Sequence, residues 1–141
     1  MRECKCKVTL ISYAVKIFRS EDEEMFLHAE REFKILERLK GRPNIVQGVE
    51  YIPELLRSRG YLIMEKIEGL HLLNYVMEQG PVSEERAKKM IKQVIQGVDF
   101  MHENGVIHRD LNPTNVFLTD EKADLIKILD FNVSKLIEFQ K

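Results

Sequence analysis

Three side chains in the second half of the chain have the types and spacing to handle a metal ion and a proton. Asp110 stands five residues before Asn115, and Asp130 follows after a short apolar stretch and a turn. Val116-Phe117-Leu118 reads as a strand, Thr119 to Asp124 as a turn, and Leu125 to Leu129 as the return strand. Such a hairpin brings Asn115, entering it, and Asp130, leaving it, to one end. Their oxygens suit a hard cation such as Mg²⁺, which keeps several waters and is commonly shared with substrate phosphates. Asp110, on the same loop, is placed to accept a proton or orient a nucleophile. Asp and Asn are also ordinary turn residues, and either one alone is better explained by loop chemistry. The combination points to a site.

Other elements must hold that loop in place. Ser83, followed by Glu84 and Glu85, opens the clearest helix, whose apolar stripe is Ala87, Met90, Ile91, Val94, Ile95, Val98 and Met101. It closes at Asn104-Gly105 and feeds the polar loop His108 to Asn115. Upstream, Leu72 to Glu78 reads as a short helix between Gly69 and the Gly80-Pro81 turn. At the N-terminal end, Lys7 to Ser12 and Tyr13 to Phe18 are β-branched and aromatic, which predicts two strands with a turn between them. Ser20-Glu21-Asp22-Glu23 reads as a capping box. The helix it opens carries Phe26, Ala29, Phe33, Leu36 and Leu39 at helical spacing and stops at Gly41 and Pro43. Glu32 falls on or beside the packed face of this helix, and a carboxylate there needs a partner. Asn44 to Pro53 and Gly60 to Ile67 read as two further strands. The layout predicts an α+β fold in two parts, with a hinge near Glu68-Gly69.

Bulk properties narrow the function class. Of 141 residues 44% are hydrophobic and 32% charged, a globular balance. The 22 basic residues nearly cancel the 23 acidic ones, so no net field favours nucleic acid or an anionic membrane. No apolar run approaches the roughly 20 residues that span a bilayer, and the first residues have no signal-peptide core. The expected location is the cytosol or nucleus. Cys4 and Cys6 are too few for a disulfide framework, and the scattered His28, His71, His102 and His108 complete no zinc set.

His108-Arg109-Asp110-Leu111-Asn112-Pro113-Thr114-Asn115 closely resembles the catalytic loop H-R-D-L-x-x-x-N of protein kinases. Asp130-Phe131-Asn132 resembles their D-F-G, and Ala14-Val15-Lys16 their V-A-I-K strand. Glu32 resembles the helix-C glutamate that pairs with that lysine, and Tyr61 to Ile67 the fifth strand and hinge, with Met64 as gatekeeper. Five motifs stand in the family's order, and Pro113 is similar to the serine/threonine class.

The resemblance implies a protein-kinase-like fold, with residues 1–67 as part of the N-lobe and 68–141 as part of the C-lobe. It implies ATP and Mg²⁺ as cofactors and a protein hydroxyl as phosphate acceptor. Lys16 would orient phosphates, Glu32 would hold Lys16, Asn115 and Asp130 would bind the metal, and Asp110 would receive the substrate hydroxyl. Backbone groups of Glu65 and Ile67 would face adenine, between apolar plates from Ala14, Leu72 and Phe117; each plate reads equally as core. The family's glycine-rich loop and its A-P-E segment have no counterpart here, which implies truncation at both ends, weak activity of this chain alone, and marginal stability. A partner is then expected over the apolar face of the 83–104 helix. Asn112 stands where the family carries a lysine that touches the γ-phosphate, and Asn132 replaces the glycine of D-F-G. The alternative class is a non-catalytic, pseudokinase-like binding or scaffold module.

Overall fold

The computed structural model describes residues 1–19, 23–54, 56, 58–120, 122 and 124–137. Strands β1 (Arg2–Lys5), β2 (Ser12–Arg19), β3 (Gly48–Glu54) and β4 (Arg59–Glu65) form one antiparallel sheet in the order β1-β2-β4-β3. Helix α1 (Glu23–Arg38) packs on it. The second part comprises β5 (Leu70–His71), α2 (Leu72–Gln79), α3 (Glu84–Glu103), β6 (Val106–Ile107), β7 (Val116–Asp120), β8 (Leu125–Ile128) and β9 (Lys135–Leu136). There β5-β7-β8 make a three-stranded sheet and β6-β9 a two-stranded one. The α+β class expected from the sequence is the class observed.

The register explains the placement of the polar residues. In the β2–β4 ladder Ala14 faces Met64 and Lys16 faces Leu62. Side chains alternate along a strand, so Ala14 and Lys16 share one face while Val15 is buried on the other. Pro53 lies on β3, an edge of the sheet, where its missing N–H breaks no ladder between neighbours. On α1 and the residue after it the buried positions are Ala29, Glu32, Ile35, Leu36 and Leu39. The sequence stripe contained three of these and missed Ile35.

One apolar core runs through both parts. Ile35, Leu36 and Leu62 belong to the same cluster as Met101, Leu118, Ile128 and Phe131. The segment after α1 is bonded to the hairpin as well: Ile128 N donates to Asn44 O at 2.8 Å and Val46 N to Ile128 O at 3.0 Å. On α3, Gln93 ties the hairpin down, its Nε2 donating to Asp124 O and its Oε1 accepting from Ile126 N and Asn44 Nδ2. Arg86, one turn into α3, bonds Asp124 and the Tyr75 hydroxyl of α2.

Four expectations need correction or placement. The segment expected as a strand from Lys7 to Ser12 is a turn up to Ile11, with Ser12 opening β2: Leu10 N donates to Cys6 O and Cys6 N to Ile11 O, both at 2.9 Å. The strand itself lies earlier, at Arg2–Lys5. β-Propensity reflects the fit of a side chain to a half-buried surface, and Val8, 90% exposed, has no such surface. Thr119 and Asp120 extend β7 and do not belong to the turn. The capping box at Ser20 to Glu23 lies outside the described residues, apart from the backbone of Glu23. The apolar stripe of α3 divides, with Met90 and Met101 buried while Ile91 and Ile95 remain 51% and 61% exposed.

Candidate functional site

A cavity of about 640 Å³ opens between the four-stranded sheet and the β7–β8 hairpin, a size that suits a small ligand. β2 brings Ala14 and Lys16 to it, α1 brings Glu32, and the end of β4 brings Met64 and Glu65, followed by Ile67. The hairpin contributes Asn115, Phe117 and Asp130. Apart from Leu72, the residues expected around the cofactor therefore line one cavity. Leu72 packs against the core. Asp110 is exposed and does not line the cavity, yet it is bonded to it through Asn115.

Lys16 is the centre of an ion cluster. Its Nζ lies 3.0 and 2.9 Å from the two oxygens of Glu32 and 3.2 Å from Asp130 Oδ1. The partner demanded by the carboxylate on α1 is thus present. Glu32 is only 3% exposed, and burial pushes its carboxyl above the usual carboxylate range. Lys16 opposes that shift, by its charge and its hydrogen bonds, and the negative charge of Asp130 adds to it.

The catalytic-loop residues are held by a second set of bonds. Asn115 Nδ2 donates to Asp110 O at 2.7 Å and to Asp110 Oδ2 at 2.9 Å. That leaves the amide oxygen of Asn115 for a ligand. Leu129 N donates to Asn115 O, which closes the hairpin and sets Asp130 one residue beyond it. His108 is buried beneath the loop. Its Nδ1 accepts from Asp110 N, so the ring proton sits on Nε2 and is donated to Leu129 O at 2.8 Å. Phe131 is buried edge-on against His108, with ring centroids 4.9 Å apart. Arg109 and Asp130 both hold left-handed backbone, at φ 68° and 60°. Non-glycine residues occupy that region at a cost of about 1–2 kcal/mol each, and here the bonds around His108 and Lys16 maintain it.

Two hard oxygen donors beside a lysine fit a Mg²⁺ ion that takes its remaining ligands from phosphate and water. Among the described residues there is no cluster of three His, Cys, Asp or Glu side chains that could cage a metal alone, and Cys4 and Cys6 are free thiols. The Glu65 N–H is committed to Gln47 O at 2.9 Å, while its carboxylate accepts from Lys127 Nζ and Gln47 N.

Sequence reasoning missed several residues of the lining. Val46 arrives from the irregular segment after α1, Leu129 from the hairpin exit, His71 from β5 and Thr114 from the loop. Val46 falls in the segment expected as a strand from Asn44, but the strand begins only at Gly48, so strand alternation assigned Val46 no face. His71 is opposite Phe117 in the β5–β7 pair, their ring centroids 4.4 Å apart.

Known proteins share this sequence pattern. A family model described as the protein kinase domain matches residues 1–141. The chain is 37% identical over 110 residues to a probable myosin light chain kinase of Dictyostelium discoideum, covering 77% of this chain and 27% of that protein. It is 40% identical over 108 residues to a calcium/calmodulin-dependent protein kinase type 1 of Macrobrachium nipponense, covering 76% and 30%. It is 33% identical over 138 residues to the type IV kinase of that name from Mus musculus, covering 97% and 28%. The chain spans less than a third of the length of these relatives.

Proposed function

The chain belongs to the protein kinase domain family, and from that premise we propose that it carries the nucleotide-handling and catalytic-loop machinery of a serine/threonine kinase. The observation that supports this best is the Lys16–Glu32–Asp130 cluster at the wall of a ligand-sized cavity. On this reading residues 1–67 and 68–141 form the two sides of a cleft for ATP. Ala14 and Phe117 sandwich the adenine, and the Glu65 carbonyl and Ile67 backbone meet its edge below Met64.

Lys16 binds the α/β-phosphates, held in position by Glu32. Asn115 and Asp130 would hold Mg²⁺, whose charge would offset that of the phosphate oxygens. Asp110 accepts the proton of the substrate hydroxyl as its oxygen attacks the γ-phosphorus. The new O–P bond forms as the bond from the γ-phosphorus to the bridging oxygen breaks, and ADP leaves with that electron pair. Protein substrates, a cytoplasmic location and a partner over Ile91 and Ile95 of α3 belong to the same proposal. Among the described residues no helix is long and apolar enough to cross a membrane.

The test is Mg-ATP binding by the purified chain, followed as a thermal shift with and without Mg²⁺. The expected result is Mg-dependent stabilisation that Lys16→Ala and Asp130→Ala both remove. A folded chain with no shift would move it to the alternative, a binding module that holds no nucleotide.

A further inference from the structure

We propose that Asn112 is a positioning residue whose side-chain amide clamps Asp110 and does not serve the nucleotide phosphates. The inference rests on the reading of Asp110 as the acceptor of the substrate hydroxyl. Asn112 Nδ2 donates to Asp110 Oδ1 at 3.0 Å and to the Asp110 carbonyl at 3.2 Å. Its Oδ1 accepts from Thr114 N at 2.9 Å and from Thr114 Oγ1 at 2.5 Å. A primary amide has two donor hydrogens and two acceptor lone pairs. All four are used within the loop, so none is left to reach a phosphate.

The amide's orientation is fixed by chemistry. A backbone N–H can only donate, so the Thr114 amide demands the oxygen end of Asn112 and turns its nitrogen end toward Asp110. The Thr114 hydroxyl reinforces that choice. On the far side Asn115 Nδ2 holds Asp110 Oδ2. Each carboxylate oxygen is therefore gripped by one neutral amide and keeps a lone pair for an incoming hydroxyl. A cation at position 112 would attract Asp110 and a phosphate at once, whereas a committed amide does only the first. In this chain the loop positions the base, and Lys16 is left to meet the phosphates.

The experiment compares wild type with Asn112→Ala, Thr114→Val and Thr114→Ser by three readouts. Side-chain amide exchange by NMR reports whether Asn112 is held, calorimetry gives the Mg-ATP dissociation constant, and transfer to casein gives kcat and KM. The expected result is a slowly exchanging Asn112 amide in wild type and Thr114→Ser, and a fast one in Thr114→Val. In Asn112→Ala Mg-ATP affinity should stay within about twofold, while kcat falls about tenfold with KM for ATP unchanged, the scale of one hydrogen bond to a charged group. The first two readouts need no turnover. A freely exchanging Asn112 amide in the folded wild type would overturn the inference. So would a tenfold loss of Mg-ATP affinity in Asn112→Ala with wild type binding normally, since that places the amide on the phosphates. Absence of Mg-ATP binding by the folded wild type would instead overturn the nucleotide reading, and this inference with it.

Discussion

The two halves of the candidate site are held together by different chemistry. Around Lys16 the bonds are ionic and long-range, joining residues 16 apart to Glu32 and 114 apart to Asp130. Around Asp110 they are neutral amide bonds between residues two to five apart. The first cluster exists only when β2, α1 and the hairpin exit have docked. The second is one loop closing on itself. The difference separates their expected roles, since a long-range cluster responds to anything that moves the two parts of the molecule, and a local one does not.

The strongest test of this contrast is a pair of variants. Asp110→Asn should lower phosphate transfer by about 100-fold or more, the scale of a lost general base, and leave Mg-ATP affinity unchanged. Lys16→Ala should weaken Mg-ATP binding itself. Calorimetry beside a transfer assay separates the two; equal losses in both quantities for both variants would erase the distinction.

Gly69→Ala probes the connection between the parts. Gly69 has φ 130°, and a Cβ there would sit 2.1 Å from the Leu118 carbonyl oxygen. Backbone cannot yield as a side chain can, so a loss of about 3 kcal/mol is expected in urea unfolding. An unchanged midpoint would mean that the β5–β7 contact is dispensable.

Lys16→Ala also bears on stability, because it leaves the buried Glu32 without its cation. A loss of roughly 2 kcal/mol is expected, smaller than for a fully buried pair because Lys16 is 24% exposed. Adding Glu32→Gln should recover at least half of it, since the stranded charge is then gone. No recovery would locate the cost in packing.

A smaller effect sharpens the comparison through pH. The native carboxyl of Glu32 is raised above its ordinary value of 4.5. Between those two values the folded state holds the extra proton, so this group's contribution to stability falls as pH rises through that window. Glu32→Gln should remove that slope. Nucleotide binding should move the opposite way, improving over the same window as Glu32 ionises and anchors Lys16. The smallest effect is expected on the open face of α3, where Ile91→Lys should change stability by less than about 0.5 kcal/mol.

Much of the site was legible because kinase-like motifs are runs of neighbours. His108 to Asn115 and Asp130-Phe131 each announce themselves within a few residues, and the structure joins them at the cavity. The Glu32 carboxylate was legible for a different reason: helical periodicity put it on a buried face where it required a partner. Val46 and His71 were illegible, as each reaches the cavity from a segment whose local pattern says nothing of it. The Cys6–Ile11 turn was misread because apolar, β-branched residues there meet no neighbouring surface.

The sequence alone determined the two long helices, the β7–β8 hairpin and which polar residues want partners, because helix and strand periods, the Ser83 cap and the Asn112–Thr114 loop bonds depend on residues a few positions apart. Only the tertiary structure decided that Lys16 meets both Glu32 and Asp130, that Gln93 and Asn44 brace the hairpin, and that Ile91 and Ile95 of the α3 stripe stay exposed. Those outcomes follow from burial in one shared core, a property of the whole packed chain and not of any short stretch of it.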